Sequence, residues 1–128
     1  MTKAKYVDGF VLAVKQKDVK AYIKLAKEAS RVWRKFGAIE YMECMGQDLI
    51  PKGGMGMGMV TYPKLLKLKK GEVVWYSFIT YKSRKHRDEV NKKVMTYFQK
   101  KYKGKMEAAM PFDPRRMSYG GFTVEVGA

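Results

Sequence analysis

Cysteine and histidine are almost absent from this chain, which has one of each among 128 residues. Cys44 alone cannot form an intrachain disulfide. Together with His86 it also falls short of the four ligands of a structural zinc site, so we expect no bound metal. Because Cys44 lies near Met42 and Met45 in a predicted strand, the sequence favours a buried, unreactive thiol.

The sequence also predicts neither a targeting segment nor a membrane-spanning one. The basic N-terminus runs into Asp8 and Gly9 without a small-residue cleavage site, so it does not resemble a secretion signal. No run approaches the roughly 18 apolar residues that a membrane-spanning helix needs. With a single cysteine, these absences predict a cytoplasmic protein that does not enter a membrane.

Acidic residues are scarce, at 12 against 27 lysines and arginines, and the formal charge is +15. This balance favours anionic partners such as nucleic acid or anionic metabolites. Only six of the basic residues are arginine, the better phosphate ligand, and the lysine majority also fits a plain solubilising surface. Any binding of nucleic acid is therefore expected to be weak, sequence-blind and lost at physiological salt.

Regular apolar spacing is present in two halves of the chain, each with a strand, a helix and a second strand. Alternation and β-branched or aromatic content predict strands, and apolar residues three or four apart predict helices. The predicted strands are Tyr6–Val14, Ala38–Met45, Val73–Tyr81 and Arg116–Val126. Asp18 and Ser83 are the predicted N-caps of the two helices.

The segment Gln47–Glu72 between the halves has little regular pattern. Its Gly–Met alternation, Gly53–Met59, is not followed by the Gly-Lys-Ser/Thr of a phosphate loop. Met59 stands where a dinucleotide fingerprint needs its third glycine. We therefore expect no nucleotide or other cofactor, and we interpret the segment as a mobile flap near any pocket.

The element order predicts one α+β domain over residues 1–128, a ferredoxin-like split βαβ sandwich. Its antiparallel sheet would carry both helices on one face. The third strand is apolar on both sides, because Trp75 and Ile79 face one way while Tyr76 and Phe78 face the other. A second copy is the simplest cover for the open face, so the sequence predicts a homodimer joined through its sheet faces.

Four segments of the sequence resemble the YbaA-like family of functionally uncharacterised bacterial proteins. They are YVDGFVLAV (Tyr6–Val14), VWRKFGAIEYMEC (Val32–Cys44), WYSFITYKSRKHRDEVN (Trp75–Asn91) and MPFDPRRMSYGGF (Met110–Phe122). The resemblance implies a dimeric α/β-barrel in which ferredoxin-like subunits pair their sheets. It implies no established activity, and whether the protein is an enzyme stays open.

Three classes of function remain in view. The first is binding or conversion of a small anionic or aromatic molecule in a pocket between sheet and helices, by analogy with other dimeric α/β-barrels. The second is a basic accessory protein that binds RNA, and the third is a structural or stress protein without a ligand.

Four polar side chains are the candidate catalytic residues of such a pocket: Asp8, His86, Arg116 and Tyr119. An acid, an imidazole, a guanidinium and a phenol could bind an anionic or phenolic compound, or move a proton on it. The alternative is a structural Asp8–Arg116 ion pair with His86 in solvent.

Overall fold

Strand β1, Tyr6–Lys15, lies inside a four-stranded antiparallel sheet of order β2-β3-β1-β4. The computed structural model describes residues 3–50, 52 and 58–128. The other strands are β2 (Glu40–Met45), β3 (Glu72–Tyr81) and β4 (Met117–Thr123). The helices are α1 (Val19–Lys35), α2 (Tyr62–Leu65), α3 (Arg84–Lys101) and α4 (Met106–Ala109). The predicted α+β class is therefore confirmed.

Local signals set the ends of the two long helices. The Ser83 hydroxyl accepts a hydrogen bond from the His86 amide at 3.0 Å, as its predicted N-cap role requires. Asp18 precedes α1 as predicted, but its side chain makes no capping hydrogen bond. After α1, Gly37 takes a positive φ of 118°, a conformation that side chains disfavour, and the chain turns into β2.

Both long helices pack on the same face of the sheet. One apolar cluster joins Tyr81 of β3 to Val90, Val94 and Phe98 of α3 and also includes Ala29 of α1. A second cluster joins helix α1 to β1 and β3, and its members are Leu12, Val14, Val19, Tyr22, Ala26 and Trp75. Apolar side chains from β1, β3, α1 and α3 thus meet between the sheet and the helices, and this region is the interior of the molecule.

The other face of the sheet is apolar, and the described residues cover it only in part: Ala13 and Val74 are buried there, whereas Tyr76 is 44% exposed. Residues paired across antiparallel strands point to the same side, and Cys44, Tyr76 and Val11 are paired in this way. Cys44 is exposed, so the prediction of a buried thiol is wrong. The strand pattern was apolar enough for burial, but the described residues around Cys44 leave its side chain exposed.

Two predicted segments need correction. Gln47–Glu72 is not irregular throughout, because α2 lies within it. Residues 51 and 53–57 of this segment, which include most of the Gly–Met alternation, lie outside the described residues. The last strand begins at Met117, since Pro114–Arg116 forms a 3₁₀ turn. Its pairing with β1 is continuous, and a Cβ at Gly121 would overlap the Tyr6 ring, so glycine permits the close approach of this ring to the backbone.

Candidate functional site

A cavity of about 390 Å³ lies between the sheet and the helices. All four strands, α1, α3 and the segment from Met106 to Phe112 contribute to its lining. The apolar part of the lining includes Phe10, Leu12, Leu25, Ala26, Ala29, Ile79, Met95, Phe98, Phe112 and Met117. Protein interiors are normally packed without voids much larger than a water molecule, so a cavity of this size is a feature to be explained.

Two hydrogen bonds hold the Glu43 carboxyl in this lining. The Tyr22 hydroxyl donates to Glu43 Oε1 at 2.7 Å, and the Tyr41 hydroxyl donates to Glu43 Oε2 at 2.6 Å. Tyr41 and Glu43 lie two residues apart on β2 and share its helix-facing side, whereas Tyr22 reaches them from α1. The two phenols fix the carboxyl group in the cavity wall.

Burial governs the ionisation of this cluster. Burial raises the pKa of the Glu43 carboxyl above its ordinary value of 4.5, and the hydrogen bonds from Tyr41 and Tyr22 oppose this effect only in part. Burial and the neighbouring carboxylate together raise the pKa of both phenols far above the usual tyrosine range. Tyr22 and Tyr41 therefore remain protonated hydrogen-bond donors at neutral pH.

We expect the free energy of unfolding of Glu43→Gln to rise relative to that of wild type as the pH rises above 4.5. A carboxyl with a raised pKa holds a proton in the folded state that the unfolded chain releases, so its contribution to stability falls through that window. Each unit of pKa elevation corresponds to about 1.4 kcal/mol. Urea denaturation of wild type and Glu43→Gln between pH 4 and pH 8 measures the difference.

Glu89 is exposed on α3, and Glu89→Gln is the matched control because it makes the same change of charge outside the cavity. Its pH profile should follow that of the wild type. If the free energy of unfolding of Glu43→Gln falls relative to that of wild type as the pH rises, the pKa of Glu43 is not raised in the folded protein.

A second polar cluster joins β1, α3 and β4 at Asp8. The Arg87 guanidinium donates to Asp8 Oδ1 at 2.6 Å and to the Tyr119 hydroxyl at 2.7 Å. It also lies over the Tyr6 ring, with 5.0 Å between the guanidinium carbon and the ring centroid. Asp8 is only 1 % exposed, and burial raises the pKa of its carboxyl although the Arg87 charge opposes the shift.

Asn91 of α3 completes the polar lining. Its Oδ1 accepts from Trp33 Nε1 at 3.1 Å and from the Tyr81 hydroxyl at 3.2 Å. One amide oxygen therefore satisfies the polar atoms of two large aromatic side chains from α1 and β3. This contact fixes the orientation of the Trp33 ring, whose centroid lies 5.8 Å from that of Tyr41.

The structure brings together two of the four candidate residues. Asp8 and Tyr119 both line the cavity and both bind Arg87, whereas His86 and Arg116 do not line it. His86 Nδ1 accepts from the Lys82 amide at 3.0 Å, and the ring packs against Tyr81 rather than lying free in solvent.

Arg116 belongs to a different contact, at the opposite end of β1 from Asp8. It forms a two-pronged ion pair with Glu72, with nitrogen–oxygen distances of 2.8 and 2.9 Å. The predicted Asp8–Arg116 pair is therefore wrong. In the β1–β4 register Asp8 is opposite Gly121, while Arg116 precedes the residue paired with Leu12, several positions away along the strand.

Sequence reasoning missed Arg87, Asn91 and Glu43 as members of the site. The available signal was Tyr41, two residues from Glu43 and on the same side of β2. Arg87 gave no such signal, since it is one of three basic residues in the first turn of α3, with Arg84 and Lys85. Within the described part of the chain, no group of three or more potential ligands could hold a metal ion.

The comparisons with known proteins identify relatives without a described activity. The model of the family described as Protein of unknown function (DUF1428) matches residues 5–114. Uncharacterized protein YbaA of Escherichia coli (strain K12) is 38% identical over 118 residues, which cover 92% of this chain and 94% of that protein. The protein of the same name from Shigella flexneri matches with the same identity and coverage.

Proposed function

Because this chain belongs to the family described as Protein of unknown function (DUF1428), as its YbaA-like segments predicted, we propose its function from the cavity itself: the protein binds a small, mainly apolar molecule there. The cavity of about 390 Å³ is the observation that supports this. Ligand pockets in proteins typically enclose about 300–1,000 Å³, with apolar walls and a few polar groups that orient the ligand. Glu43, Asp8 and Asn91 are such groups.

The lining narrows the class of ligand that was expected from the sequence. Among the described residues that line the cavity, none is lysine, arginine or histidine, although the chain carries 27 lysines and arginines. Two of the lining residues are acids, Asp8 and Glu43. An anion would therefore meet two acids, and the cation beside the lining, Arg87, is already paired with Asp8. Of the anionic and aromatic ligands expected from the sequence, we therefore retain the aromatic ones.

The same proposal includes the assembly. The order β2-β3-β1-β4, with both long helices on one face, supports a ferredoxin-like arrangement. The uncovered sheet face carries exposed apolar side chains, among them Met42, Tyr76 and Phe122. We propose that two copies pair through this face, which leaves each cavity on the opposite side of its own sheet. No helix in the described part of the chain is long and apolar enough to span a membrane.

The lysine-rich surface supports a weaker alternative, which stays a prediction. The outward side of α1 carries exposed cations, including Lys20, Lys24, Lys27, Arg31 and Arg34. Such a surface attracts polyanions without selecting among them. This surface lies outside the cavity, so binding of polyanions to it would not explain the cavity.

Filling the cavity should abolish binding of a neutral apolar probe without unfolding the protein. Ala26 lies in the cavity wall on α1, and Ala26→Phe places a ring in the space that a ligand would occupy. Titration calorimetry with 2-naphthylmethanol should detect binding to wild type and none to Ala26→Phe. Circular dichroism and the thermal midpoint should show that the variant is folded, because the added ring enters an existing void.

Ala21 is exposed on the same helix, and Ala21→Phe is the matched control. It adds the same ring outside the cavity and should bind the probe like wild type. If the probe binds wild type and Ala26→Phe with the same affinity, the binding site lies elsewhere and the proposal fails.

A further inference from the structure

Glu43 has no cationic partner among the described residues, unlike three other acids that are shielded from solvent. Asp8 is paired with Arg87, Glu28 with Lys101 and Glu72 with Arg116. The hydrogen bonds of Glu43 come from two neutral phenols. A carboxylate in an apolar environment is costly unless it is paired or fully hydrogen-bonded. The chain has a formal charge of +15 and 27 lysines and arginines, so cations are abundant elsewhere. The lack of a cation beside Glu43 is therefore specific to this cavity.

The carboxyl group of Glu43 retains capacity to bind a ligand. An ionised carboxylate offers about four lone-pair sites, and each of its oxygens accepts one phenol hydrogen bond. The surrounding rings add a second attraction, since Tyr22, Tyr41 and Trp33 all line the cavity. Aromatic faces attract cations, and protein sites for organic ammonium ions use this arrangement.

We infer that the ligand of this cavity carries an ammonium group on an apolar body, and that Glu43 is the residue that binds this group. The inference rests on the proposed function, because it names the ligand class for the same cavity. The apolar wall of α1 and α3 would receive the body, while Tyr22 and Tyr41 hold the carboxylate in position. An ammonium group at this point also favours the ionised carboxylate, since opposite charge lowers a carboxyl pKa.

A purely structural role for Glu43 is the competing explanation. In that case the carboxyl only ties Tyr22 of α1 to Tyr41 of β2, and ligand charge has no effect on binding. The two explanations differ in selectivity, so the test compares ligands that share one apolar body and differ in charge.

The test uses 2-naphthylmethylamine, 2-naphthylmethanol and 2-naphthoate, which are cationic, neutral and anionic at pH 7. We expect the amine to bind wild type about tenfold more tightly than the alcohol, as a charge-assisted hydrogen bond would give. The carboxylate should bind most weakly. If the three affinities are equal, or the alcohol or carboxylate binds most tightly, the cavity binds apolar molecules but the inference is overturned.

Glu43→Gln keeps the shape of the side chain and removes its charge. The preference for amine over alcohol should then disappear, because the charge of the amine no longer meets an opposite charge in the cavity. Glu89→Gln is the control, because it removes an exposed carboxylate from α3, and it should keep the preference. A preference that survives Glu43→Gln assigns the ammonium site to another group and overturns the inference.

A measurement on wild type covers the case in which Glu43→Gln does not fold. The side-chain carboxyl ¹³C resonance of Glu43 should shift on saturation with the amine and shift less with the alcohol. A resonance that does not respond to bound amine contradicts the inference. Failure of all three probes to bind contradicts the proposed function itself, so the two failures are distinguishable.

Discussion

Replacing Arg87 with methionine should lower the free energy of unfolding by about 3–5 kcal/mol, because it leaves a buried carboxylate without its cation. Asp8 is 1 % exposed and its Oδ1 lies 2.6 Å from Arg87 Nη1. The same guanidinium also binds the Tyr119 hydroxyl and covers the Tyr6 ring. Urea denaturation at pH 7 measures the loss, which should exceed that of a surface substitution several times over.

Arg84→Met is the control for this experiment. Arg84 is exposed at the start of the same helix, α3, and its replacement should change stability by less than about 0.5 kcal/mol. Combining Arg87→Met with Asp8→Asn should restore part of the lost stability, because no isolated charge is then buried. A loss below about 1 kcal/mol for Arg87→Met would show that the ion pair does not stabilise the fold.

The Arg87 contact also shows why the sequence predicted the fold more fully than the site. Strand β3 and helix α3 follow from local signals: alternating β-branched and aromatic residues, then the Ser83 cap. The partner of Asp8 depends instead on how α3 lies over the sheet and on the register of β4. Arg87 is separated from Asp8 by 79 residues. The spacing of apolar residues, which predicts helices and strands, does not predict a contact over this distance.

The Glu43 cluster could be predicted only in part, because one of its two contacts is local in the sequence and the other is not. Tyr41 and Glu43 share one side of β2 because alternate strand residues do so. The contact with Tyr22 spans 21 residues and requires the packing of α1 on β2. The exposure of Cys44 could not be predicted from the strand pattern either, since apolar alternation does not show which parts of a sheet face other elements cover.

A lysine at position 76 should separate the proposed homodimer into monomers. Tyr76 is 44% exposed on the uncovered sheet face, with Cys44 and Val11 as its neighbours in the register. A sheet-to-sheet interface of standard size, about 800 Å² per partner, would bury this position near its centre. An unpaired ammonium there costs several kcal/mol, so the dissociation constant should rise about a hundredfold or more.

Light scattering at micromolar concentration measures this effect directly. Wild type should give twice the chain mass of 14.8 kDa, and Tyr76→Lys should give the single-chain mass. Ile23→Lys is the matched control, because Ile23 is a 37% exposed apolar residue on α1, away from the uncovered face. Its mass should remain doubled. A wild-type protein that is monomeric, or a Tyr76→Lys variant that remains dimeric, would require a different partner for the apolar face formed by β1, β2 and β3.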